Sequence, residues 1–147
     1  MINGPANLCG FSEDSRSLIV SNESKTITKY DFCSSYGTGS AAVAADARGR
    51  QYVLLKYLEG RGTNATTEYL AIFKIAPELF EYVRVPIASG AGPTSRWEYA
   101  YSIDTPPKGG LRIVFKQRIV QQAPKLDQPI SVPTEKLRVL LVDVPGS

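Results

Sequence analysis

The sequence predicts a single all-β domain, an antiparallel meander of about seven to nine strands folded as a barrel or a sandwich, with little helix. Three observations favour this fold class. Short apolar or β-branched runs recur along the 147 residues, turn-forming residues separate them, and no stretch shows a 3.6-residue apolar period over ten residues. A parallel sheet would need helical crossovers, which this pattern does not supply.

The predicted strands follow one another at the spacing of hairpins. Nine runs qualify: 17–20, 26–32, 41–46, 51–59, 68–76, 80–87, 96–104, 111–120 and 137–144. The polar residues 1–16 are predicted to form an extended arm, and residues 121–136, which contain three prolines, a crossover loop. Residues 40–47 (SAAVAADA) favour helix by their alanine content, but the run is short and ends in a turn. Strand is therefore the preferred interpretation there, and helix the alternative.

Turn chemistry separates the strands. In the tetrapeptide 46–49 the Asp46 side chain is expected to accept hydrogen bonds from the backbone ahead of it, and Gly49 to take the left-handed conformation. Three longer segments are predicted to be loops between strands: 60–67 (GRGTNATT), 89–95 (SGAGPTS) and 105–110 (TPPKGG).

Residues 96–120 show the clearest alternation of apolar and polar side chains. A pairing in which residue numbers sum to 216 aligns the apolar and charged faces of the two strands. It places these residues opposite each other: Tyr101 and Phe115, Trp97 and Ile119, Asp104 and Arg112, Glu98 and Arg118. We therefore predict that Trp97, Tyr101, Ile113 and Phe115 share one buried face.

The chain contains two cysteines, Cys9 and Cys33. A zinc site needs about four Cys or His ligands, so no metal is expected. One disulfide is the natural use of two cysteines in an exported domain, and two buried free thiols are the alternative. Residues 1–7 show no signal-peptide pattern. We expect a periplasmic or secreted mature protein, with a cytoplasmic one as the alternative.

Charge and composition exclude several classes of function. The net charge is +3 and most basic residues are spread along the chain, so no nucleic-acid partner is expected. No apolar run approaches the roughly 18–20 residues of a membrane-spanning helix, so we expect no membrane insertion. The chain has no histidine, which excludes Ser-His-Asp and Cys-His catalysis, and the spacing of its carboxylates picks out no catalytic pair. We therefore expect a non-enzymatic protein without a cofactor.

One short resemblance concerns the predicted loop at 89–95. Ala88-Ser89-Gly90-Ala91, followed later by Lys108-Gly109, resembles the loop pieces of bacterial lysozyme-inhibitor proteins. Those are small periplasmic β-barrels that insert a Ser-Gly loop into an enzyme cleft. The likeness covers about six of the 147 residues, and Gly92 and Pro93 stand where the family has a tyrosine. It implies a way in which the loop would act, not membership of the family.

Two functions from different classes are open. The preferred hypothesis is an inhibitor or immunity-type protein that blocks a cell-envelope hydrolase or a toxin through its Gly/Pro-rich loops, because loops on rigid scaffolds commonly carry recognition. The residues predicted to contact this protein partner are Arg61, Asn64, Ser89, Gly90, Arg96 and Lys108. The alternative is a carbohydrate or small-ligand binder that uses Trp97, Tyr99 and Tyr101 as a stacking platform.

Overall fold

The computed structural model confirms the all-β fold class. It describes residues 2–3, 9, 13–22, 25–35, 38–62, 65–75, 79–91, 95–122, 130–133 and 141–146. These residues form eleven strands and contain no helix. The strands are β1 (Ile2–Asn3), β2 (Glu13–Asn22), β3 (Lys25–Ser35), β4 (Ser40–Ala45), β5 (Gln51–Gly62), β6 (Ala65–Ile75), β7 (Leu79–Ala91), β8 (Ser95–Asp104), β9 (Leu111–Gln122), β10 (Ile130–Pro133) and β11 (Leu141–Val144).

Each of the nine predicted strands overlaps an observed one, although residues 137–140 of the last prediction lie outside the described part. The alanine-rich run 40–47 is strand rather than helix over β4. Two short strands were not predicted. β1 lies in the segment expected to be an extended arm, and β2 also begins there, at Glu13. β10 lies in the segment expected to be a crossover loop. It is the edge strand of its sheet, the place in a sheet where a proline such as Pro133 is tolerated.

The strands form two antiparallel sheets. β1, β2 and β3 form a small sheet, and the larger sheet has the order β10-β9-β8-β7-β6-β5-β4. β11 pairs with β9 over residues 111–114, beside β10, which pairs over residues 117–120. Consecutive strands from β4 to β9 are neighbours, which is the predicted meander. β4 and β10 stand at opposite ends of this order, so the described strands do not close into a barrel.

The larger sheet divides between β7 and β8, which pair only over residues 88–91 and 95–98. Strands β4 to β7 form one wall and strands β8 to β11 the other, in a sandwich-like arrangement. Side chains from both walls meet in a first core cluster, whose buried members are Tyr52, Leu70, Ile72, Ile87, Leu111, Ile113, Phe115 and Val144. Burial of apolar surface between the walls is therefore what holds the two halves of the sheet together.

A second core cluster lies on the other face of β5 and β6, beneath the small sheet. Its buried members are Leu18, Phe32, Val53, Leu55, Tyr57, Ala71, Phe73 and Leu79. β5 and β6 are thus covered on both faces. This explains why their sequences are nearly continuous apolar runs rather than alternating ones.

The hairpin of β8 and β9 keeps the predicted register over its first half only. Tyr101 pairs with Phe115 and Asp104 with Arg112, as predicted. A β-bulge next to Tyr101 then inserts Lys116 and moves the register by one residue. The two remaining predicted pairs were wrong: Trp97 pairs with Val120, and Glu98 with Ile119. An alternation pattern fixes which faces match, but it does not reveal a single inserted residue.

The structure also corrects two of the predicted loops. β7 runs to Ala91 and β8 begins at Ser95, so only 92–94 separates them, and those residues lie outside the described part. β5 likewise runs to Gly62 and β6 begins at Ala65, where a loop from 60 to 67 was expected. In both places the paired strands extend into glycine-containing sequence that is predicted to be loop, so each connection is shorter than expected.

The two cysteines form the predicted pair. Cys9 and Cys33 are joined as a disulfide, with their Cα atoms 5.5 Å apart. The bond ties the N-terminal segment to β3 and is consistent with an oxidising compartment.

Candidate functional site

The carboxylate of Asp46 is the centre of the most highly connected polar site in the described residues. Its Oδ1 accepts hydrogen bonds from the amides of Arg48 (2.9 Å) and Arg50 (3.0 Å). Its Oδ2 accepts from the Tyr52 hydroxyl (3.0 Å) and from the amide of Gly110 (2.8 Å). The first two bonds are the turn chemistry that the sequence predicts, and Gly49 has the expected left-handed backbone, with φ of 82°. The bond to Gly110 joins two turns that are 64 residues apart in the chain.

These bonds hold Asp46 in its charged form. The pKa of its carboxyl is lowered from 3.8 to about 2, chiefly by the hydrogen bond from the Gly110 amide. Burial acts in the opposite direction, and the remaining donors strengthen the lowering. Asp46 is only 6% exposed, so a buried charge is here satisfied by four donors.

The end of β11 completes this junction. Gly110 has φ of 81°, and a Cβ built on it would fall well under 3.0 Å from the carbonyl oxygen of Val144 and 3.0 Å from the amide nitrogen of Gly146. Only glycine allows the backbone of the β8–β9 turn to approach the chain this closely. We call the three segments that meet here, residues 46–50, 105–110 and 143–146, the turn end.

Cationic side chains surround the turn end. The methylene groups of Arg48 lie over Gly109, where a built Cβ would be 3.2 Å from its Cδ. A Cβ built on Gly146 would be 3.2 Å from Nη1 of Arg50. Lys108 is exposed at the tip of the 105–110 turn. None of these three cations forms an ion pair with another described residue.

An open cavity of about 290 Å³ lies beside these cations. Its lining includes Pro106, Lys108, Leu111 and Pro145, together with the pair formed by Arg112 and Asp143. That pair is bidentate, with Nε–Oδ1 at 2.6 Å and Nη2–Oδ2 at 3.4 Å, and Arg112 lowers the pKa of the Asp143 carboxyl. The cavity therefore combines apolar side chains with a charged rim, at which Arg112 and Lys108 both lower the pKa of the Asp143 carboxyl.

Ser89 occupies a position that contradicts its predicted exposure. It lies within β7, is 6% exposed, and donates a hydrogen bond to the carbonyl oxygen of Thr66 (3.2 Å). Its hydroxyl is also 3.5 Å from that of Thr67. Ser89 is therefore buried within the sheet rather than exposed on a loop, and its role in partner binding stays a prediction.

The other predicted partner-binding residues are scattered. Gly90 lies in β7, paired with the exposed Arg96 of β8. Arg61 lies near the end of β5, but its side chain is outside the described part, and so is all of Asn64. Of the six predicted residues, Lys108 alone is at the turn end. The sequence did point to the Asp46 turn, but it gave no signal that Arg48 and Arg50 would stand beside Lys108.

The three predicted platform residues are half-buried, so Trp97 and Tyr101 are less buried than the sequence predicts. The rings of Trp97 and Tyr99 are 5.3 Å apart, and Phe115 lies 4.9 Å from the Tyr99 ring and 6.4 Å from the Tyr101 ring. Tyr99 and Tyr101 pack against the first core cluster, where Ile113 and Phe115 are buried as predicted. Packing therefore accounts for both tyrosines, and a stacking role for the three rings stays a prediction.

Comparison with known proteins does not assign the chain to a family. No protein-family model, no curated protein and no solved structure matches the chain. The short resemblance to lysozyme inhibitors is thus supported neither by a family match nor by the position of Ser89. Within the described residues, no three Cys, Asp or Glu side chains are grouped as metal ligands, and no helix is long and apolar enough to cross a membrane.

Proposed function

We propose that this protein is a non-enzymatic binding protein that recognises an acidic protein partner through the turn end. The observation that carries the proposal is the group of three cations without ion-pair partners, Arg48, Arg50 and Lys108, on turns locked together by Asp46. Arginine makes bidentate contacts with carboxylates, and unpaired cations attract acidic surfaces before contact is made.

Rigidity is the second support for the proposal. Binding costs less conformational entropy when the contacting groups are already ordered. The turn end is ordered by the four hydrogen bonds of Asp46 and by the close approach of Gly110 to residues 144–146. Its cavity of about 290 Å³ offers a pocket for one apolar anchor of the partner, beside the charged rim.

Within this class we propose an inhibitor or immunity-type protein, in the periplasm or secreted, whose partner is a cell-envelope hydrolase or a toxin. The disulfide between Cys9 and Cys33 suits an oxidising compartment. Hydrolase clefts that use paired carboxylates present the acidic groups that such a surface would engage.

The test is an affinity capture from the native host at low and high salt, followed by an activity assay on the captured protein. We expect the double variant Arg48→Glu/Lys108→Glu to lose the partner, and high salt to weaken its capture by the wild type. The matched control, Lys56→Glu/Lys116→Glu, changes the net charge equally on exposed residues away from the turn end and should keep the partner. A third variant, Arg96→Glu, tests the site favoured by the sequence.

The outcomes separate the alternatives. Capture that is lost only with Arg96→Glu would move the site to β8 and contradict the proposal. If both double variants lose the partner equally, net charge alone would explain its capture, and the turn end would not be a specific site. A captured partner whose enzymatic or toxic activity is unchanged by the wild-type protein would contradict the inhibitor or immunity role but leave the binding surface in place.

A further inference from the structure

A second cavity, of about 140 Å³, lies between the two walls of the larger sheet, and its lining includes no residue of the turn end. Ala42, Leu54 and Leu70 line it from one wall, and Tyr101 and Ile103 line it from β8. Lys56 stands at its rim and is exposed. The cavity is therefore apolar inside, with one cationic group and one phenol at its boundary.

The cavity exists because β4 carries small side chains where the other strands carry large ones. Ala42 pairs with Leu54, and Ser40 pairs with Lys56, so the β4 positions on this face contribute little volume. The gap is open along β4, where Ser40 and Ala42 are exposed, so it is an apolar groove beside the core that a ligand can enter.

The size and polarity of the cavity fit one kind of ligand. An apolar cavity of about 150 Å³ is large enough to hold a benzene ring. Lys56 has no ion-pair partner among the described residues, so its ammonium group is available to an anion at the rim. Burial and the nearby Glu68 carboxylate raise the pKa of Tyr101, so its hydroxyl stands at the cavity boundary as a hydrogen-bond donor.

We propose that this cavity binds a small aromatic monocarboxylate, with its ring between Leu54, Leu70 and Ile103 and its carboxylate at Lys56. Glu68 lies diagonally across from Lys56 in the pairing of β5 with β6, so its negative charge opposes a bound carboxylate at this rim. This inference stands on residues that the turn end does not include, and it does not depend on the function proposed above.

Benzoate is the probe, and benzyl alcohol is its neutral counterpart. We expect calorimetric titration to show benzoate binding to the wild type, weakened about tenfold or more by Lys56→Met because a charge-assisted hydrogen bond is lost. Benzyl alcohol binding should be unchanged in that variant. Ala42→Phe, which fills the cavity from an exposed position on β4, should abolish binding of both compounds. Glu68→Gln should strengthen benzoate binding.

Two controls keep the result specific. Lys74→Met removes a lysine elsewhere, and Arg48→Glu/Lys108→Glu removes the cations of the turn end; both should bind benzoate as the wild type does. Methyl resonances of Leu54 and Ile103 should shift on titration of the wild type. Absence of benzoate binding to the wild type, or binding that survives in correctly folded Ala42→Phe, would overturn the proposal. Binding lost in the turn-end variant instead would place the anion there.

Discussion

Replacing Gly110 by alanine tests the packing of the turn end directly. Gly110 has φ of 81°, and the left-handed conformation alone costs an ordinary residue about 1–2 kcal/mol. The new Cβ would also fall well under 3.0 Å from the carbonyl oxygen of Val144 and 3.0 Å from the amide nitrogen of Gly146. Both neighbours are backbone atoms, so the chain itself must move, and overpacking of this kind costs about 1–3 kcal/mol. We expect Gly110→Ala to lower the free energy of unfolding by about 2–5 kcal/mol.

Gly49 provides the matched control for this measurement. Its φ is 82°, almost the same as that of Gly110, but a Cβ built on it meets nothing within 4 Å. Gly49→Ala should therefore pay the conformational cost alone, about 1–2 kcal/mol. Urea unfolding followed by circular dichroism measures both variants, and an unchanged dependence on urea concentration shows that their free energies can be compared.

The test compares the losses in free energy of unfolding caused by Gly110→Ala and by Gly49→Ala. A loss for Gly110→Ala that exceeds the loss for Gly49→Ala by at least about 1 kcal/mol supports close packing of the β8–β9 turn against the end of β11. Equal losses would refute it, because the left-handed conformation would then explain both. The position of Lys108 would in that case no longer be fixed by residues 144–146.

Three further predictions test the core, the buried charge and the disulfide. Phe73 is 0% exposed, so Phe73→Ala should lower the free energy of unfolding, measured in urea, by about 3–5 kcal/mol. Val43 is 65% exposed, and the control variant Val43→Ala should change this free energy by less than about 0.5 kcal/mol. The folded-state pKa of Asp46 is about 2 and its ordinary value is 3.8, so the stability that this carboxylate contributes is full above about pH 4 and falls as the pH drops toward 2. In a titration of the free energy of unfolding between about pH 4 and 2, Asp46→Asn should therefore show a smaller loss of stability than the wild type. An equal loss in both proteins would contradict the hydrogen-bond network of Asp46. Reduction of Cys9–Cys33, 24 residues apart, should destabilise the protein by about 3–4 kcal/mol in the chain-entropy model, and free thiols in natively purified protein would contradict the bond.

Local sequence signals were sufficient to predict most of the fold. Apolar runs and turn residues marked nine strands, and the Asp46–Gly49 turn formed with the hydrogen bonds and the left-handed glycine expected of it. These features depend on residues close together in the chain. The bulge at Lys116 was missed because either register keeps apolar residues facing the core over part of the hairpin.

The candidate site was harder to predict because it depends on distant contacts. Ser89 and Gly90 look like the start of a loop, yet the Ser89 hydroxyl is satisfied inside the sheet by Thr66, so the strand continues. The hydrogen bond from the Gly110 amide to Asp46 joins residues 64 positions apart, and no local sequence pattern predicts it. Lys108 was predicted to be exposed on a loop, but its arginine neighbours at the turn end follow only from the sheet topology.

Asp46 is satisfied in a way that leaves the neighbouring arginine side chains out of its hydrogen-bond network. A buried carboxylate next to two arginines would ordinarily bind their guanidinium groups and neutralise them. Here Asp46 binds the backbone amides of Arg48 and Arg50 instead, and its other oxygen binds Tyr52 and Gly110. All four bonds stabilise the turns and none uses an arginine side chain. The guanidinium groups of Arg48 and Arg50 are thus not neutralised by Asp46, which is what the proposed recognition of an acidic partner requires.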